Sequence, residues 1–252
     1  MCAYTKTLMF VAAALSYVNV MPRLPLIEDL TTGPLPAGSQ VLVEYDPASQ
    51  WYNASMTITA GWLKTGGTAS YVTFAQPVED VRAQFKRLGV DTEKVEKDET
   101  LRIVDYYTAT LGQKSKDPGS DSSLKVADIS ISISKWMQEP PEPEHLIISD
   151  DESTFGRFND EKAWIELELT RLIPAGRMRK VTAITAVMIG VHSEWVYKRF
   201  EGASEGIVDF KLTELEGHMR NVIRIRNMRN VGFDSQWHPL RMNDKFEITL
   251  EK

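Results

Sequence analysis

Short apolar runs and amphipathic stretches alternate along most of this chain, and that alternation is the feature that most restricts its fold. Apolar runs rich in β-branched or aromatic residues, typical of buried strands, include Gln40–Tyr45 and Ser70–Phe74. The clearest helix is predicted over Pro77–Leu88, which has acidic residues in its first turn and Gly89 after its last. Because parallel strands need such crossover helices between them, we predict an α/β fold with a mostly parallel sheet flanked by helices.

The other predicted elements continue this order until the last quarter of the chain, where the helices stop. Further strands are predicted over Leu101–Tyr106, Leu146–Ser149 and Val181–Val191, and further helices over Asn53–Lys64 and from an Asn159 cap to Leu172. Pro174 and Gly176 are expected to end the second of these helices. Leu124–Met137 favours a helix, although its alternating serine and isoleucine residues would also suit a strand. The final runs predict a C-terminal antiparallel β-meander over Gly206–Leu212, Asn221–Asn227 and Lys245–Leu250.

Length, charge and cysteine content exclude several classes of protein. The 252 residues suit one large domain or two small ones, and the continuous pattern favours a single domain over 21–252. A formal net charge of −6 argues against a nucleic-acid coat protein or a basic membrane binder. The single cysteine, Cys2, excludes an internal disulfide and a cysteine-based zinc site, and the four histidines lack metal-ligand spacing. We therefore expect no bound metal and no membrane partner.

Residues 1–20 do not fit the rest of the pattern and are treated as an N-terminal extension. Lys6 precedes an apolar run, Leu8–Leu15, which is shorter than the roughly 20 apolar residues of a membrane-spanning helix. The run is compatible with the apolar part of a signal peptide, with an extra docked helix, or with a disordered segment or a translation start at Met21. We expect the last of these, and a cytoplasmic protein.

Six short segments occur in the order and near the spacing typical of one family of ATPases. They are Leu26–Ser39, Arg87–Asp91, Val104–Thr108, Ile147–Asp150, Ile223–Asn230 and His238–Leu240. From about Pro25 onward the chain thus resembles the KaiC-like branch of the RecA-type P-loop ATPases, and Ile147–Asp150 resembles its Walker B strand. The resemblance implies a RecA-like sheet with a nucleotide site at the carboxyl ends of its strands. It also implies membership of a group of archaeal and bacterial signalling or assembly ATPases that are often hexameric.

The residues at the nucleotide-binding loop depart from that family. Laid on the family pattern, the loop covers Tyr45, Asp46, Pro47, Ala48, Ser49, Gln50, Trp51 and Tyr52. Tyr45, Ala48 and Gln50 stand at glycine positions, whose inward-facing N–H groups would cradle phosphates. Trp51 stands at the lysine position and Tyr52 at the position of the magnesium-binding hydroxyl. We therefore predict a degenerate Walker A motif, in which the loop takes another path and the phosphate site is lost.

Two further positions bear on catalysis. Ala75 and Gln76 stand where the family has a pair of glutamates, one of which orients the attacking water, and neither is a carboxylate. Asp150 remains as a residual Walker B residue, but one carboxylate without phosphate contacts would hold Mg²⁺ weakly. The alternative for Asp150 is a polar turn or a helix cap at the end of a strand. No catalytic residue is therefore predicted.

The arginines near the C-terminus have three interpretations. In the family, a Lys-x-Arg on this strand reaches the nucleotide of the neighbouring subunit, and here Asn227 stands at the lysine position while Arg229 remains. Arg226 and Arg229 are therefore candidates for a trans interface with an active partner subunit. The alternatives are a solvated or ion-paired strand edge and a nucleic-acid patch. The acidic net charge and the lack of interleaved aromatic residues disfavour the patch.

These residues together predict a non-catalytic KaiC/RecA-like pseudo-ATPase that acts as a regulatory or scaffold subunit in signal transduction or assembly. Its expected partners are proteins, either further copies in a homo-oligomer or an active paralogue in a ring, and no cofactor is expected. One alternative is a signalling ATPase that still binds ATP and Mg²⁺ at a rearranged site. Another is a DNA-associated recombinase paralogue.

Overall fold

A nine-stranded sheet organises the part of the chain that the structure, a computed structural model, describes: residues 22–117, 120, 123–138 and 144–251. The strands are β1 (Gln40–Tyr45), β2 (Thr68–Thr73), β3 (Leu101–Asp105), β4 (His145–Ser149), β5 (Thr182–Met188), β6 (Gly206–Leu215), β7 (His218–Met228), β8 (His238–Met242) and β9 (Ile248–Leu250). They lie in the order β3-β2-β4-β5-β1-β6-β7-β8-β9. Pairing is parallel from β3 to β6 and antiparallel from β6 to β9. The predictions for residues 1–20 lie outside the described residues.

Helices connect the parallel strands. They are α1 (Trp51–Lys64), α2 (Val78–Arg87), α3 (Thr92–Lys97), α4 (Tyr107–Thr110), α5 (Val126–Trp136), α6 (Ser153–Phe158), α7 (Glu161–Leu167), α8 (Ile173–Arg179) and α9 (Glu194–Ala203). A 3₁₀ turn spans Glu28–Leu30, and a π-helical turn, Glu168–Leu172, joins α7 to α8. The predicted α/β class, with a mostly parallel sheet and antiparallel C-terminal strands, is confirmed. Of the two structures left open for Leu124–Met137, the helix is present as α5.

The prediction for the helix after β4 is wrong at both ends. Its N-terminal cap is Asp160, whose carboxylate accepts the N–H of Ala163, and not Asn159. Pro174 does not end the helix, because it lies in the first turn of α8, just after the π-helical turn, where a missing N–H costs little. The helix continues instead to Arg179 and closes at Lys180, which takes the left-handed conformation with φ 57°.

The two faces of the sheet bury separate apolar clusters, with β1 between them. All six residues of β1 are buried, and alternate side chains point to opposite faces. Val43 joins the cluster that contains Trp62 and Phe85 of α1 and α2. Leu42 joins the cluster that contains Trp164 and Phe200 of α7 and α9. The connection that follows β1 therefore lies at the centre of the carboxyl edge of the parallel strands, where α/β sheets bind their ligands.

Within the described ranges, no helix is long and apolar enough to cross a bilayer.

Candidate functional site

The connection from β1 to α1 is a compact turn that is centred on Asp46. The Asp46 carboxylate accepts the N–H of Ala48 at 2.7 Å, and its backbone carbonyl accepts the N–H of Ser49 at 2.9 Å. Pro47 contributes no N–H. None of the described residues 45–52 has a positive φ, so the turn needs no glycine.

The two ends of this connection are held by the β6–β7 hairpin. The N–H of Asp46 donates to the carbonyl of Phe210 at 2.8 Å, and the N–H of Gln50 donates to the side-chain oxygen of Asn221 at 2.9 Å. Together with the two bonds inside the turn, these contacts use every backbone N–H between β1 and α1. A phosphate cradle needs such N–H groups free and turned toward one point. In this connection they are directed at acceptors of the chain itself.

Trp51 begins α1 and is fully buried. Its indole ring packs against Phe210 and Tyr45, with ring centroids 5.1 Å and 6.3 Å away. The indole Nε1 donates a hydrogen bond of 2.8 Å to the backbone carbonyl of Asp150, at the end of β4. The aromatic side chain therefore fills the space between β1, β4 and β6 and satisfies a strand-end carbonyl there.

A chain of two phenols and one carboxyl lies beside the indole. The hydroxyls of Tyr45 and Tyr52 are 3.3 Å apart, and the Tyr45 hydroxyl hydrogen bonds to Asp151. Because Tyr45 donates to Asp151, its oxygen accepts from Tyr52. Burial raises the pKa of Tyr52 to about 12 and that of Tyr45 further, so both phenols stay neutral. These three side chains thus present two neutral hydroxyls and one carboxyl.

Asp150 is fully buried and ties the end of β4 to the end of β2. Its Oδ1 accepts the N–H of Phe74 at 2.7 Å, and its Oδ2 lies 3.0 Å from the hydroxyl oxygen of Thr73. The same hydroxyl lies 2.8 Å from the carbonyl of Gln76, which can only accept. The hydroxyl hydrogen of Thr73 is thus shared between two acceptors, the carboxyl of Asp150 and the carbonyl of Gln76.

Burial and hydrogen bonding act on the ionisation of Asp150 in opposite directions. Burial raises its pKa to about 7, against the opposing effect of its hydrogen bonds to Phe74 and Thr73. Burial also raises the pKa of Asp151. The carboxyl of Asp150 therefore acts as an internal link between two strands, which matches the strand-end alternative better than a cation ligand. Ala75 and Gln76 follow Thr73 at this edge, and their side chains carry no carboxylate.

A second pair of buried acids lies behind this edge and was not anticipated from the sequence. Glu152 follows β4, Glu168 begins the π-helical turn, and their carboxyls lie within hydrogen-bond distance of each other. Burial raises the pKa of both, and the charge of Glu152 adds to the effect on Glu168. The pair therefore shares a proton. In the part of the chain that the structure describes, no group of three or more His, Cys, Asp or Glu side chains is arranged to hold a metal ion.

Arg226 and Arg229, the candidates for a trans interface, differ in their surroundings. The Arg226 guanidinium lies 2.6 Å from Glu44, 2.7 Å from Glu201 and 3.1 Å from Asp209, all in its own chain. Arg229 is exposed, and its guanidinium donates to the carbonyl of Gly202 at 3.4 Å. Arg226 thus belongs to an ion-paired strand edge, while a role of either arginine toward a neighbouring subunit stays a prediction.

The structure brings most of the predicted loop residues together, and it adds partners that sequence reasoning missed. Phe210 and Asn221 complete the packing and hydrogen bonding of the connection, although they lie on the β6–β7 hairpin. Phe210 could have been found from strand pairing, since it lies in register with Tyr45, the last residue of β1. For the Asn221 amide we find no local signal.

Replacing Asn221 with alanine should lower the free energy of unfolding by about 1 kcal/mol, because the partly buried N–H of Gln50 loses its acceptor. Asn227→Ala, on the same strand, is the matched control and should change that energy by less than about 0.5 kcal/mol. Urea denaturation followed by tryptophan fluorescence measures both. Equal effects of the two variants would contradict the assigned role of Asn221.

Comparisons with known proteins agree with this fold. The family model of the KaiC ATPase matches residues 25–250. UPF0273 proteins of Pyrococcus horikoshii and Pyrococcus furiosus are each 21% identical over 229 residues, which cover 90% of this chain and 92% of theirs. A UPF0273 protein of Methanopyrus kandleri is 22% identical over 235 residues, which cover 90% of each chain.

A solved structure gives the same result for the fold. The crystal structure of a KaiC-like protein from Pyrococcus horikoshii superposes with a TM-score of 0.67 at 19% identity, over 92% of this chain and 98% of its own. The resemblance to the KaiC-like, RecA-superfamily proteins that the sequence motifs predict is thus confirmed. Because the family model spans nearly the whole described chain, this chain belongs to the KaiC ATPase family.

Proposed function

We propose that this chain is a pseudo-ATPase of its family, a non-catalytic subunit that regulates or scaffolds other proteins. The single observation that carries the proposal is Trp51, whose indole occupies the position of the phosphate-binding lysine and is buried between Tyr45 and Phe210. A lysine there would reach the β- and γ-phosphates of a nucleotide. An indole offers one N–H, and here that group donates to the carbonyl of Asp150.

The state of the loop supports the loss of phosphate binding. Phosphates bind P-loops through several backbone N–H groups that converge on them. The N–H groups of this connection donate to Asp46, Phe210 and Asn221 instead. The carboxylate of Asp46 within the turn would also repel a phosphate. These residues do not fit a bound nucleotide, so we derive no catalytic step through one.

The residues near β2 and β4 support the loss of metal binding and water activation. Mg²⁺ prefers ionised carboxylates and open positions for phosphate and water. Asp150 is buried, its pKa is raised to about 7, and its carboxyl is hydrogen-bonded to Phe74 and Thr73. Ala75 and Gln76 supply no carboxylate to orient an attacking water. The residues after β4 thus support the loss of metal binding, and those after β2 support the loss of water activation.

What remains is the fold with its surfaces, and we assign the function to them. The partners would be proteins, either further copies of this chain or an active paralogue in a ring. A scaffold role needs no cofactor. The sheet edge around Trp51 then acts as a packed support for the loops that meet other subunits.

Isothermal titration with Mg-ATP and a phosphate-release assay test the proposal on the full chain. We expect no binding heat with nucleotide up to about 1 mM, which corresponds to a binding free energy weaker than about −4 kcal/mol, and no phosphate release. Micromolar binding with turnover would overturn the proposal and favour an ATPase with a rearranged site. Salt-dependent binding of single-stranded DNA near physiological ionic strength would instead favour a recombinase paralogue.

A further inference from the structure

An apolar groove runs between α5 and α8. Its apolar lining residues are Ile133, Met137, Pro174, Ala175 and Met178, and its volume is about 400 Å³. Ile133 and Ala175 are buried, whereas Met178 is 74% exposed, more than any other large apolar side chain that the structure describes. Isolated exposed apolar residues are ordinary, but an exposed one on the wall of an apolar groove of this size marks an interaction surface. It is called the α5–α8 groove below.

The polar residues of the groove restrict the chemistry of an occupant. Among the described residues that line it, Arg171 alone is charged, and Ser134, Gln138 and Thr170 are neutral. A single arginine offers little charge complementarity to a separate partner. Apolar contact therefore has to supply most of the affinity, and an uncharged apolar segment is the occupant that fits.

The chain enters the described part of the structure beside this groove. Pro22, the first described residue, is buried and lines a small cleft together with Lys180. Lys180 closes α8 and follows Met178 by two residues. The segment before Pro22 therefore starts next to the end of α8 that carries the exposed methionine.

This segment contains an occupant of the right chemistry within reach. Leu8–Leu15 is a run of eight residues without a charged or polar side chain. The six residues 16–21, which separate the run from Pro22, can span up to about 20 Å. The seven residues of α8 make a helix of only about 10 Å. The run can therefore reach the groove along the whole length of α8.

The short tether favours an occupant from the same chain. A linker of a few flexible residues gives the segment that it holds an effective concentration of about 1 mM. A separate protein or a small molecule has no such advantage and must bind through its own affinity. Apolar contacts that are too weak to hold a free partner can thus hold a tethered one.

We propose that Leu8–Leu15 docks in the α5–α8 groove of its own chain and covers Met178. Among the alternatives given for residues 1–20, the proposal takes the docked segment, and it assigns that segment no secondary structure. The cover withholds an apolar surface from other proteins. The proposal goes beyond the proposed function, since it involves neither the nucleotide site nor another subunit.

Disulfide cross-linking in the full chain tests the contact. In a Cys2→Ser background, Ser134→Cys places a thiol in the lining of the groove, and Ala12→Cys or Ala14→Cys places one in the run. Lys135→Cys is the matched control, because Lys135 is exposed and follows Ser134 on α5 but does not line the groove. Since a disulfide needs Cβ atoms about 4 Å apart, at least one of the two pairs with Ser134→Cys should form an intramolecular disulfide about tenfold or more faster than the same pair with Lys135→Cys.

A charge in the run separates docking from the closeness that the tether alone provides. Phe10→Asp should slow the cross-link to Ser134→Cys about tenfold or more, because docking would bury the new carboxylate in apolar surroundings. Thr5→Asp, which lies before the run, should leave the rate unchanged. Equal rates for Ser134→Cys and Lys135→Cys, no effect of Phe10→Asp, or disulfides that join two chains would each overturn the proposal. Tight Mg-ATP binding would overturn the proposed function alone, since the cross-link is measured without nucleotide.

Discussion

Replacing Trp51 with lysine is expected to lower the free energy of unfolding by roughly 3–5 kcal/mol and to create no ATPase activity. The indole is fully buried between Tyr45 and Phe210. A lysine there would leave a cavity, carry a charge into apolar surroundings and remove the hydrogen bond to the carbonyl of Asp150. Burial would depress the pKa of the new amine, so it would also be a poor phosphate ligand.

The loop explains why the lysine alone cannot restore activity. Ala48 and Gln50 are predicted to stand at glycine positions of the family, and their N–H groups already donate to Asp46 and Asn221. Urea denaturation measures the loss of stability in Trp51→Lys, and phosphate release with Mg-ATP measures its ATPase activity. Asn53→Lys, in the same turn of α1 but at a half-buried position, is the control and should change the stability by less than about 1 kcal/mol, the value of its weak hydrogen bonds to Met242 and Gln84. A stable Trp51→Lys protein that hydrolyses ATP would show that the loop keeps a phosphate-binding path.

The parallel half of the fold could be predicted because its signals are local. The apolar run Gln40–Tyr45 has the same bounds as β1, and β4 begins only one residue before the predicted Leu146–Ser149. A buried strand is specified by a few consecutive apolar residues. Where tertiary structure changes the local rule, the prediction fails. Pro174 is a helix stop by itself, but it is tolerated because the hydrogen-bond register changes in the π-helical turn before it.

In the candidate site, too, some features could be predicted from the sequence and others could not. The residue types at Trp51, Ala75 and Gln76 can be read from the sequence, and that they replace reactive groups of the family stays a prediction. The packing that stabilises the replacement could not, since Asn221 is 171 positions from Gln50 in the chain. The raised pKa of Asp150 was also beyond the sequence, because it depends on burial that only the fold produces.

Asp150→Asn is expected to reduce the loss of stability that the wild type shows as the pH rises. The folded pKa of Asp150 is raised from 3.8 to about 7, chiefly by burial. The stabilising effect of the bound proton is therefore complete below the unfolded pKa and is lost as the pH rises through 7. Between these values the folded state holds a proton that the unfolded state releases. The free energy of unfolding then falls by up to about 1.4 kcal/mol per pH unit from this group alone.

The asparagine amide can replace the protonated carboxyl without titrating. Its oxygen can accept the N–H of Phe74, and its NH₂ group can donate to the hydroxyl of Thr73. The stability of the variant minus that of the wild type should therefore rise by up to about 1.4 kcal/mol per pH unit from pH 4 to 7 and level off above. Other buried acids, such as Glu168, cancel in this difference because both proteins contain them.

Urea denaturation at half-unit steps from pH 4 to 9 measures the difference, and Asp244→Asn, at an exposed acid, controls for the loss of one charge. The control should run parallel to the wild type. A difference that falls with pH would mean that Asp150 is ionised in the folded protein, with its carboxylate stabilised by Phe74 and Thr73. An ionised Asp150 would again be available to a cation, so this pH profile tests the loss of the metal site independently of any nucleotide.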